Sequence, residues 1–112
     1  MLKVKSYEEM YGMLFEGGNP EVDYMAPIAK AKLLEWFKEG KEISIGNTIK
    51  DNKELNPDLY INDLDIPSTY GRRDVWRTIY SNLYWSVFYT RNFIVIEDET
   101  PGLCFKWYIR AS

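Results

Sequence analysis

The residue types that most often carry chemistry are scarce in this chain. There is no histidine and one cysteine, Cys104, and the carboxylates fall in short pairs such as Glu8 with Glu9 and Asp63 with Asp65. Without histidine the commonest general base and the commonest zinc ligand are missing, and a lone thiol makes neither an internal disulfide nor a thiolate cluster. No glycine-rich phosphate loop, Gly-x-Ser-x-Gly elbow or His-Glu-x-x-His helix occurs. Paired carboxylates do acid-base work only where their surroundings shift a pKa, and such pairs are common on ordinary surfaces. Cys104, between Leu103 and Phe105, reads as a small apolar strand residue, since only Lys106 nearby would depress its pKa. Asp51-Asn52-Lys53-Glu54 lacks the spacing of a calcium loop and reads as a turn. A non-enzymatic domain needing no metal and no organic cofactor is expected.

Charge and aromatic content are more informative. The only concentration of arginine lies at Arg72, Arg73, Arg77 and Arg91, followed by the acidic run Glu97-Asp98-Glu99. Residues 1–70 hold 8 Lys and Arg against 13 Asp and Glu, whereas residues 71–112 hold 6 against 4. An acidic first part is thus joined to a mildly basic second part. The net charge of −3 gives no overall cationic field of the kind that drives nonspecific phosphate binding. Tyr80, Tyr84, Trp85, Phe88 and Tyr89, with Trp107 and Tyr108, form an aromatic group too large for one small helix and hairpin to bury. Its exposed members suit either stacking on unpaired bases or anchoring a protein interface.

These residues must be positioned by one domain. With 112 residues, 46% apolar and 28% charged, the chain can bury a core and does not read as disordered. Ser6-Tyr7-Glu8-Glu9 is a capping-box pattern and opens a helix over about 7–16, stopped by Gly17-Gly18 and Pro20. Asp23 is the expected cap of a second helix with Pro27 in its first turn, Ala29, Leu33, Trp36 and Phe37 as core positions, and Gly40 as its end. Ile43-Ser44-Ile45 alternates like a short strand, residues 46–67 resist assignment, and a short helix is expected between Asn56 and Asp65.

Val75, Trp76, Ile79, Tyr80, Leu83 and Val87 recur at helical spacing and predict a long helix over 72–89, capped by Ser68 or Thr69. Two arginines at its start oppose the helix dipole, so either Asp63, Asp65 or Asp74 neutralises them or an anionic partner does. Phe93-Ile94-Val95-Ile96 and Leu103–Arg110 flank Glu97–Gly102 as a β-hairpin. The predicted class is α+β, a single domain of three or four helices with a C-terminal hairpin. Residues 1–22 are its N-terminal helical extension and 23–112 its core.

Helix, short strand, brief helical region, long helix and terminal hairpin resembles the element order of the winged-helix superfamily over about residues 26–110. Asn62–Trp76 looks like the turn into a recognition helix and 93–110 like the wing. The resemblance implies that the start of the 72–89 helix enters the DNA major groove. Arg73 and Arg77 are then base readers or phosphate contacts, with Arg72, Asn82 and Arg91 beside them. Glu97, Asp98 and Glu99 depart from it, because a wing tip of three carboxylates repels a phosphate backbone.

Two functions from different classes follow. One is a small nucleic-acid-binding regulator acting through the basic face of the 72–91 helix. The other is a phage-type inhibitor or adaptor that binds a nucleic-acid-processing protein of its host through the acidic Glu97, Asp98 and Glu99 and exposed aromatics such as Tyr84 and Trp85. No segment reads as a secretory signal or a membrane span, and a single thiol fits the cytoplasm. Oligomerisation stays open.

Overall fold

The computed structural model describes residues 1–47, 72–77, 84–98 and 106–112. In chain order these form β1 (Leu2–Val4), α1 (Tyr7–Leu14), α2 (Pro27–Lys38), β2 (Ile43–Asn47), β3 (Arg72–Arg77), β4 (Tyr84–Tyr89), β5 (Phe93–Asp98) and β6 (Lys106–Ala111). The strands make one sheet in the order β1-β2-β6-β5-β4-β3, antiparallel at every pairing.

The helices begin and end on short-range chemistry. The Ser6 side chain accepts a hydrogen bond from the Glu9 amide at 3.1 Å, which opens α1. Glu9 reaches back one residue further than the capping box requires, accepting from the Lys5 amide at 2.8 Å. In α2, Pro27 stands at the first position, where its missing N–H is no loss. Asp23 is not its cap: the N-cap is Ala26, without a side-chain bond. Gly40, at φ +73°, ends the helix. The Gly40 amide donates to Phe37 and the Lys41 amide to Trp36, the two bonds of a Schellman motif.

The winged-helix-like arrangement expected over 72–110 is not the fold. Residues 72–77 and 84–89 are strands, paired from Arg72 opposite Tyr89 to Arg77 opposite Tyr84, and only two helices occur among the described residues. The reason lies in the residues that suggested a helix. Val75, Trp76 and Val87 of the helical stripe, with Tyr84, Trp85, Phe88 and Tyr89 beside them, are β-branched or aromatic and also favour a pleated, half-buried surface. Cross-strand pairing, of β3 with β4 and of β4 with β5, decides between the two. The C-terminal hairpin does form, from Phe93 opposite Arg110 to Glu97 opposite Lys106. It is not a wing, because β2 flanks it on one side and β4 on the other.

Both sheet faces are apolar. Ile43, Ile45, Ile94, Ile96 and Ile109 join Met10, Leu33 and Trp36 of the helices in the main core. Phe93, Val95 and Tyr108 form a second buried cluster, with Phe88 and Met1 packed against it. Burial on both faces explains why Phe93–Ile96 reads as an unbroken apolar run. Strand β1 hydrogen-bonds to β2, and α1 buries Met10 and Leu14 in the main core, so residues 1–14 share the packing of the sheet. No helix among the described residues is long and apolar enough to cross a membrane.

Candidate functional site

The residues singled out for groove reading are not brought together on a helix. Arg72, Arg73 and Arg77 stand on β3, the last strand in the sheet order. Arg91 is exposed in the Thr90–Asn92 turn that joins β4 to β5, and Asn82 lies outside the described residues. Tyr84 and Trp85 open β4.

The acidic run is not a free loop tip either. Glu97 and Asp98 belong to β5, opposite Lys106 and Trp85 respectively, while Glu99 lies outside the described residues. The Glu97 carboxylate is 3.5 Å from the Lys106 ammonium, so much of its charge is answered within the sheet.

A different constellation forms where α1 meets the segment leading to α2. Tyr7, Tyr11 and Phe15 follow one another at a spacing of four residues, which stacks them along one side of a helix. Their ring centroids are 6.0 and 4.9 Å apart, and Phe15 stacks on Tyr24 at 5.6 Å. Gly18 permits that approach, since a Cβ there would stand 2.8 Å from the Tyr24 ring. Tyr11 then fastens the segment: its hydroxyl donates to the Val22 carbonyl at 3.1 Å and accepts from the Tyr24 amide at 2.9 Å. The Tyr24 hydroxyl accepts from the Asn19 amide, and the Asn19 side chain accepts from the Glu21 amide.

Between helix and segment lies an open cavity of about 440 Å³, lined by Tyr7, Tyr11, Glu8, Glu21, Asp23 and Lys30, with the exposed Gly12 also on its lining. Nothing lies within 4 Å of where a Gly12 Cβ would be. Three carboxylates face one ammonium, and that ammonium is engaged: Lys30 Nζ donates to Asp23 Oδ2 at 2.8 Å. Burial would raise the Asp23 carboxyl, yet the bond from Lys30 and the bond from the Met25 amide together hold it below its ordinary range. The Lys30 ammonium is raised in turn, chiefly by its bond to Asp23.

Tyr7 is the unusual member. Its hydroxyl oxygen is buried and has no hydrogen-bond partner among the described residues. Burial first, and then the negative charge of Asp23, hold its phenol well above the ordinary range, so it stays a neutral hydroxyl. The cavity offers aromatic faces and carboxylates, while the Tyr7 hydroxyl oxygen is closed to solvent. It contains no nucleophile paired with a base. Sequence reasoning missed it because Tyr11 with Met10, Met13, Leu14 and Phe15 reads as the apolar side of the first helix, Tyr7 falls within its capping-box pattern, and Asp23 reads as a cap. The repeat of aromatics four apart around a mid-helix glycine was the available signal. Comparison with family models, with curated proteins and with solved structures gives no match to this chain.

Proposed function

We propose that the chain is a non-enzymatic interaction protein, an adaptor or inhibitor that docks a basic segment of a partner protein on the acidic face of α1 and residues 17–26. The cavity between them carries this reading: its walls are tyrosine rings and carboxylates, and its one cation is tied to Asp23. Clustered carboxylates suit lysine and arginine, and tyrosine is favoured at protein interfaces because it combines a large apolar face with a polar tip. A protein that itself binds nucleic acid, and so carries a basic groove, is the natural class of partner. Cytoplasmic residence is part of the proposal.

Direct DNA binding is the weaker reading. Its arginines are divided between an outer strand and a turn, and the acidic face would repel phosphates. The test sets short lysine- and arginine-rich peptides against duplex DNA, over a salt series. Peptide binding that weakens with salt and is lost in Asp23→Asn with Glu8→Gln supports the proposal. Tight, salt-sensitive DNA binding without peptide binding overturns it.

A further inference from the structure

We infer that the cavity receives one guanidinium group, the side chain of a single arginine in the partner segment, and that Lys30 is its built-in competitor. The inference rests on the docking reading above and names the group that enters. Three separate features point to it. The first is shape: Gly12 is an exposed position in the interior of α1, where glycine costs helix stability relative to alanine, and its missing side chain leaves that part of the cavity lining open. Any larger residue there would reach into that space.

The second is the mixed lining. A guanidinium is planar, stacks on aromatic rings and spreads five donors, and it is more weakly hydrated than an ammonium. The cavity matches each property with the rings of Tyr7 and Tyr11, tilted 36° to one another, and with acceptors on several sides in Glu8, Glu21 and Asp23. The third is that a cation of the chain already uses this wall, since Lys30 holds Asp23 at 2.8 Å. An entering guanidinium must share or displace that contact. Lys30 is half exposed and can swing away, so it tunes affinity and does not block entry.

The experiment titrates the full chain with N-acetyl-arginine amide, N-acetyl-lysine amide and the neutral isostere N-acetyl-citrulline amide, following Tyr7 and Tyr11 ring signals by NMR. The arginine compound is expected to bind at least ~5-fold more tightly than the citrulline one, and more tightly than the lysine one. Gly12→Met should weaken or remove the response by extending a side chain from the lining into the cavity while leaving every charge in place. Lys30→Met should strengthen it about 3-fold. Asp23→Asn keeps an oxygen for the Met25 amide and should weaken binding, and melting curves confirm that each variant is folded.

Equal binding of arginine and citrulline, indifference to Gly12→Met, or weaker binding in Lys30→Met would overturn the inference. If basic peptides still bind under those outcomes, the docking reading survives and only the guanidinium assignment falls. If neither the peptides nor the arginine compound binds, both fall together.

Discussion

The middle of the sheet and the face around α1 are held together by different means. Strands β2, β6, β5 and β4 share continuous backbone ladders and bury isoleucine and aromatic side chains on both faces. In the 17–26 segment Val22, Met25 and Ala26 are buried, while the remainder of its path is held by separate side-chain-to-backbone bonds from Tyr11, Tyr24, Asn19 and Asp23, some of them exposed. The first region draws its stability from area removed from water, at roughly 25 cal/mol per Å² of apolar surface. The second draws on bonds each worth about 1 kcal/mol net. A binding surface is better placed on the second kind, where a polar group can be re-engaged by a ligand without opening the core.

Mutation and pH separate the two regions. Leu33→Ala empties a fully buried site between α2 and the sheet and should destabilise the protein by about 2–5 kcal/mol in denaturant unfolding. A smaller effect there would mean that the helix layer is not packed as tightly as the sheet. Ser6→Ala removes the cap of α1 and should cost about 1 kcal/mol, and more than that would show the cavity face feeding stability into the core. Gly12→Ala should stabilise by roughly 0.5–1 kcal/mol, because α1 gains a better helix former in open space. A loss on this substitution would contradict the open space at Gly12.

The smallest effect concerns pH. The folded Asp23 carboxyl lies below its ordinary value, so the stability it contributes is present above about pH 4 and is lost as pH falls through the folded pKa. The raised Lys30 ammonium works at the other end, contributing below the ordinary lysine pKa and losing that contribution as pH rises through its folded value. Because both side chains are nearly half exposed, solvent screening keeps the effect small. The acid limb of the stability curve should be shallower in Asp23→Asn than in the parent chain.

How much of this was legible in the sequence follows from the range of the interactions. Ser6 with Glu9, Pro27 and Gly40 act within a few residues, so α1, the body and C-terminal end of α2, Ile43 to Ile45 and the β5–β6 hairpin could be read directly, whereas the cap of α2 was misplaced at Asp23. Strand β1 was missed because three residues, Leu2 to Val4, carry too little pattern. Residues 72–89 were read as a helix because their apolar spacing fits one; among the described residues, 72–77 and 84–89 are strands, selected by their cross-strand neighbours on β4 and β5. The cavity depends on Tyr7 and Tyr11 meeting residues 20–23 and Lys30. No spacing rule in the chain announces that closure, and Asp23 with its cap-like neighbourhood pointed elsewhere.

The pairing of β2 with β6 sets how fast this molecule can reach its native state. Ile43 lies opposite Ala111, more than sixty residues away in sequence, and the Glu42 and Ser112 backbones bond to each other in both directions at the end of the same ladder. Closing so long a loop costs entropy before any contact repays it, and chains dominated by such distant pairings fold in roughly milliseconds to seconds, not microseconds. The β4–β5 and β5–β6 hairpins can form early, but β1 and β2 gain their place in the sheet only once β6 is available to receive them. Stopped-flow refolding should therefore show the hairpins' backbone amides protected from exchange before those of Ile43–Asn47, and the reverse order would mean that β2 is nucleated from the helix side.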